Sequence, residues 1–215
     1  MQTSSVVAFG PQDGDVLNEE SPSRADGHWI NYFRTKYLAD QEVAAGMGRG
    51  LNAVFVVPGY VVGPYELSHF SLMFKMLKQG KLPGAFPGAG PWCHVDTVVD
   101  ALIKAAEVGT PGERFLIGAA HAKIADVLGT VADRLGVKAP KPFPAWFLKP
   151  VAKMAEWGSF ITGKEPEITP EVAHMFCMDV TFDCTKAETQ LGCYETSIEK
   201  MVDDMHAWLL AEGRL

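Results

Sequence analysis

Residues 53–57 in the stretch "LNAVFVVPG" are all apolar, and Pro58 and Gly59 close the run. A strand with one face in water alternates polar and apolar residues. An uninterrupted run suits a strand covered on both faces, as in a parallel sheet between two layers of helices. This segment therefore demands helices on either side of it in the chain, and the sequence supplies them. "TSSVVAF" is a β-rich run ended by Gly10 and Pro11, and it reads as a strand. Residues 11–27 are polar and turn-rich, a surface loop. Asp26 is placed to cap a helix whose apolar face is Trp29, Ile30, Phe33, Tyr37 and Leu38, running to about Ala45.

Beyond Gly59 the alternation continues. A helix is predicted over about residues 66–79, "WCHVD" reads as a short strand, and Asp96 is expected to cap the helix "TVVDALIKAAEVG". "ERFLIG" is another strand and "KIADVLGTVADRLG" another helix. Strands and helices in this rhythm predict an α/β fold with right-handed βαβ units and a doubly wound parallel sheet over residues 1–139. From 140 to 182 prolines crowd together and no strand is evident, which predicts a mostly helical lobe. Phe147, Val151, Met154 and Ile161 recur there at helical spacing, a pattern that a packed face explains more simply than a membrane anchor. Residues 183–215 end in the amphipathic helix "TSIEKMVDDMHAWLLAEG", expected to pack back on the main domain.

A net charge of −7 without any Lys/Arg-rich run argues against a nucleic-acid partner. No apolar run reaches the roughly 20 residues of a membrane span, and "MQTSSVVAFG" lacks the pattern of a signal peptide. The cytoplasm is the expected location. Cys93, Cys177, Cys184 and Cys193 match neither zinc-knuckle nor redox spacing, so they read as small buried residues and no metal is expected.

One pair on the first helix suggests chemistry. Tyr32 and Lys36 lie four apart and share a helix face, as do any two residues so spaced. Ligands of open parallel sheets bind beyond the carboxyl ends of the strands, where Ser5, Pro58 and the helix carrying Tyr32 are all expected. A free phenol titrates near pH ~10, and a lysine ammonium beside a phenol favours its phenolate. Tyr32 would then be acid or base, Lys36 its tuner, and Ser5 the holder of a reacting oxygen.

These residues carry a resemblance. "TSSVVAFG" is similar to the serine motif of the extended short-chain dehydrogenase/reductase superfamily, "YFRTK" to its Tyr-x-x-[Ser/Thr]-Lys element, and "VVPGYVVGP" to the strand and loop closing over the nicotinamide. "WCHVDTVVDALIKAAEVGTPGERFLIG" resembles the next block, with Thr97 in place of a second Asp. "FDCTKAETQLGCYETSIEK" resembles the closing stretch, with Cys193 where tyrosine is common. The resemblance implies a Rossmann-like fold and NAD or NADP as cofactor. It implies Ser5, Tyr32 and Lys36 as catalytic residues, Lys36 also on the nicotinamide ribose, and backbone groups at Pro58 and Val61 on the carboxamide. His69, Phe70 and Met73 are candidates for the substrate wall.

The same comparison exposes a departure. Family members carry a Gly-x-x-Gly-x-x-Gly turn before the serine strand, and nothing before Thr3 corresponds to it. About the first hundred residues of a typical member, the dinucleotide-binding half, are expected to be missing. The strand beginning at Gln2 would then be an open edge, inviting a second copy or a partner chain. "NAVFVVPGYVVGP" also lacks the Arg and Asn of the epimerases' Arg-x-x-Asn-x-x-Gly. It lies closer to the dihydroflavonol-reductase and hydroxysteroid-dehydrogenase branch, which works on ketones and alcohols. Trp146, Phe147, Trp157 and Phe160 suit a small apolar substrate. The alternatives are a nucleotide-sugar epimerase or dehydratase, and a non-catalytic remnant or split-enzyme half that binds a partner.

Overall fold

In the computed structural model, residues 1–144 and 169–215 are described. Most of the expected lobe, including Trp146, Phe147, Val151, Met154, Trp157, Phe160 and Ile161, lies outside these residues. Strands β1 (Gln2–Thr3), β3 (Phe55–Pro58) and β6 (Arg114–Ile117) form a parallel sheet in the order β1-β3-β6. All four residues of β3 are buried, as the unbroken apolar run requires. Alternation sends Val57 and Leu116 to one face, where they meet Ile30 and Phe33 at the start of helix α1 (Asn31–Met47). Val54, Val56, Phe115 and Ile117 go to the other, against α3 (Val95–Val108) and α6 (Thr185–Leu191). Each such side chain removed from water contributes about 1.5–3 kcal/mol, so the central strand is held from both sides.

A second sheet, β4 (Tyr60–Val62), β5 (Ala89–His94) and β7 (Ala120–Lys123), continues from the end of β3. Here β5 runs antiparallel to β7, so the sheet is not parallel throughout as expected. Trp92 of β5 anchors a core filled by α2 (Phe70–Lys78), α4 (Ile124–Leu135) and α7 (Ile198–Ala211). The terminal helix thus packs back as the sequence implies. Helix α5 is Pro170–Met175.

Four local expectations are corrected. "TSSVVAF" is a strand only at Gln2–Thr3; Val6–Phe9 form a 3-10 turn that buries Val7, Ala8 and Phe9. The loop at 11–27 contains β2 (Asp15–Leu17), which pairs in parallel with β8 (Val180–Phe182), a strand inside the region expected to be helical. Asp26 does not cap α1; the N-cap position is Ile30, and of the expected apolar face Trp29 and Leu38 are exposed. Asp96 sits inside the first turn of α3, whose cap is His94: its Nδ1 accepts from the Asp96 amide at 3.1 Å.

Candidate active site

Backbone extension through Ser4 and Ser5 carries the chain off the carboxyl end of β1. Ser4 is buried, and its hydroxyl donates to Oδ2 of Asp40 at 2.7 Å. The same carboxylate, 1% exposed, accepts from Gln2 Nε2 at 3.3 Å and from Arg114 at 3.2 Å. One acid on α1 is thereby joined to β1 and β6, which fixes the helix against the sheet. Ser5 is extended (φ −161°, ψ 154°), begins the 3-10 turn, and does not use its hydroxyl as a cap. In an extended chain neighbouring side chains point to opposite sides, so the Ser5 hydroxyl is directed away from Asp40.

Helix α1 packs on that turn. Phe33 is fully buried, while Tyr32 is 44% exposed and Lys36 half-buried. Among the described residues, no hydrogen bond engages the Tyr32 hydroxyl and no ion pair the Lys36 ammonium; only the Tyr32 carbonyl is engaged, accepting from Thr35 Oγ1 at 3.0 Å. A helix pinned by Asp40 thus presents a phenol and an ammonium without partners beside the end of the serine strand.

Beyond Pro58 the chain steps directly from one sheet to the other. A Cβ at Gly59 would lie 2.2 Å from the Pro91 carbonyl oxygen, so no other residue fits that step. The step opens an apolar cavity walled by Val6, Val7, Phe33, Tyr60, Met175 and Met178, with no charged residue in its lining among the described residues. Ser5, Tyr32, Lys36 and Pro58 do not line it; the lining residues Val6, Phe33 and Gly59 are sequence neighbours of Ser5, Tyr32 and Pro58. Val61 pairs with Cys93 in the second sheet, its side chain toward α3.

The expected substrate wall falls elsewhere. His69 is exposed at the start of α2, and Phe70 and Met73 belong to the core around Trp92; none of the three lines this cavity. Phe70 does back it, its ring 6.2 Å from that of Tyr60. Tyr60, Met175, Met178 and the Asp40 carboxylate are the site features that sequence reasoning missed.

Cys93, Cys184 and Cys193 are buried and outside any disulfide. Burial pushes the Cys93 and Cys184 thiols up to about 12. Among the described residues, no group of His, Cys, Asp or Glu is arranged to hold a metal.

Comparison with known proteins agrees with this geometry. The model of the NAD dependent epimerase/dehydratase family matches residues 1–118, and the chain belongs to that family. A protein of Synechocystis sp., provisionally named a dihydroflavonol 4-reductase, is 24% identical over 220 residues, covering 98% of this chain and 64% of its own length. Among solved structures, gox2253 is 30% identical with a TM-score of 0.82, over 99% of this chain and 66% of that one. A nucleoside-diphosphate-sugar epimerase from Pseudomonas aeruginosa has a TM-score of 0.79 at 20% identity, over 99% of this chain and 67% of that one, a likeness of fold. The chain therefore spans about two thirds of the length of the relatives it matches.

Proposed function

We propose that this chain carries the catalytic and substrate-binding part of an NAD- or NADP-dependent reductase acting on the ketone or alcohol of a small apolar molecule. The observation that carries the reading is the uncharged cavity whose rim is formed by the neighbours of Ser5, Tyr32 and Pro58. A nucleotide-sugar substrate brings a pyrophosphate, which needs cations or converging amides; among the described residues this cavity has no cation in its lining. The apolar-carbonyl reading is accordingly preferred to the epimerase reading.

The roles are those the resemblance implies. The Ser5 hydroxyl holds the substrate oxygen, and Tyr32 gives that oxygen a proton in reduction or removes it in oxidation. Lys36, one turn along α1, offsets negative charge developing on the phenol oxygen and bonds the nicotinamide ribose. Backbone groups at Pro58 and Val61 meet the carboxamide. The partner-free Tyr32 and Lys36 suit the nicotinamide end of such a cofactor, which when bound supplies or accepts the hydride. For the pyrophosphate end, the family's glycine-rich turn has no counterpart in these residues. The buried thiols of Cys93, Cys184 and Cys193, outside any disulfide, fit a reducing compartment such as the cytoplasm.

The test is to incubate the chain with NADH or NADPH and a series of aryl alkyl ketones, with UDP-glucose in parallel. Ketone-dependent loss of reduced cofactor is expected, falling about 100-fold or more in Tyr32→Phe, the range for a lost acid–base group. Turnover of the UDP-sugar with no ketone reduction would overturn the reading in favour of an epimerase.

A further inference from the structure

Tyr60 stands out among the cavity residues. Among the described lining residues its side chain alone carries a nitrogen or oxygen; the others are aliphatic, aromatic, glycine, proline or methionine. Its ring is held by Trp92 at 5.0 Å, by Phe176 stacked at 5.9 Å and by Phe70 at 6.2 Å. Gly90 lies against the ring flank: a Cβ there would come within 2.7 Å of Tyr60 Cε2, so the glycine makes room for this ring position. Among the described residues nothing accepts a hydrogen bond from the hydroxyl. Burial pushes the phenol up to about 12, so at neutral pH it is a neutral O–H donor. Tyr60 is partly buried, and a ligand that provides an acceptor gives its hydroxyl the hydrogen bond that no described residue supplies.

We propose that Tyr60 is a specificity residue, its hydroxyl donating a hydrogen bond to a second oxygen of an otherwise apolar aryl ketone, distinct from the oxygen held by Ser5 and Tyr32. The proposal rests on the cavity being the substrate pocket, as argued above. It selects substrates with an ether, hydroxyl or carbonyl oxygen remote from the reacting carbon, and disfavours pure hydrocarbons of the same shape. Rigid aromatic packing makes the selection sharp, since the ring cannot swing away to accommodate an apolar group.

The experiment pairs 4′-methoxyacetophenone with 4′-ethylacetophenone, matched in size but differing in one acceptor oxygen. Each is titrated by saturation-transfer NMR against the 215-residue chain and its Tyr60→Phe and Gly90→Ala variants, after thermal melting has shown which variants are folded. The wild type is expected to bind the methoxy ketone about fivefold more tightly, the worth of one net hydrogen bond. Tyr60→Phe should bind the ethyl ketone within about twofold of wild type and lose the preference. Gly90→Ala, which displaces the ring, should lose it too and serves if Tyr60→Phe is misfolded. Equal affinities in the wild type, or a preference that survives in Tyr60→Phe, would overturn the role of Tyr60 alone. No binding of either ketone to folded wild type would overturn both this role and the substrate-pocket reading.

Discussion

Asp40 shows how one buried acid ties a helix to two strands. Its carboxylate is buried and serves Ser4, Gln2 and Arg114 at once. Arg114 also lies over the Phe9 and Phe55 rings, at 5.7 and 4.7 Å, so strand, turn and helix share one polar junction. Removing one member of a buried charged junction leaves the others desolvated without a partner. Asp40→Ala is expected to lower stability by about 3 kcal/mol, read from urea unfolding. A loss under about 1 kcal/mol would mean that the junction is incidental. None of this was legible in the sequence. Asp40 stands on the same helix stripe as Phe33 and Tyr37, where an acid looks like an interruption, and its partners lie 36 and 74 residues away in the chain. Tyr32 and Lys36 were singled out by their local spacing, and Ser5 by the likeness of its stretch to a serine motif.

Among elements, the unbroken run at 53–57 was read correctly, because full burial of a strand leaves a mark that needs no knowledge of partners. β2 and β8 were missed since each has three residues and its partner lies over 160 positions away, as in Asp15↔Val180. Val6–Phe9 has strand-forming residues but turns, because Gly10 (φ 61°) closes the turn and burying Val7 and Phe9 under α1 outweighs β propensity. The start of α2 is set by Glu66, whose carboxylate accepts from the amides of Ser68, His69 and Ser71 and from the Ser68 hydroxyl. Partial burial raises its pKa, but these hydrogen bonds together outweigh that and hold it below 4.5. A carboxyl whose folded pKa is depressed contributes stability above its unfolded pKa, lost as pH falls through the folded one. Amide exchange at Ser68, His69 and Ser71 should therefore accelerate relative to the core as pH drops below about 4.5, once corrected for intrinsic rates. In Glu66→Gln that extra acceleration should vanish; an unchanged profile would remove Glu66 as its cause.

At the scale of the molecule, the two edges of the parallel sheet differ. On β6, the Leu116 amide is capped by the Glu19 carboxylate at 3.1 Å, an acidic side chain occupying an edge that would otherwise pair. On β1, the Gln2 and Ser4 amides donate to Val54 and Val56 of the neighbouring segment, so the Thr3 amide faces outward on an exposed residue. We propose that this edge pairs with a second copy or another chain. Size-exclusion chromatography with light scattering should show species larger than 23.4 kDa, shifting toward monomer in Thr3→Pro, which removes the outward donor and leaves the inner bonds. A monodisperse, thermally stable wild-type monomer would contradict the proposal.

The central claim is that Tyr32 and Lys36 hold the nicotinamide end of a cofactor beside the uncharged cavity. Its most direct test is a fluorescence titration of NADH and NADPH against the folded chain, read by energy transfer from tryptophan. Saturable binding is expected for one or both cofactors, with Lys36→Met weaker by about tenfold, one charge-assisted hydrogen bond, and Tyr32→Phe little changed. A flat titration on folded protein, or superimposable curves for wild type and Lys36→Met, would contradict the account.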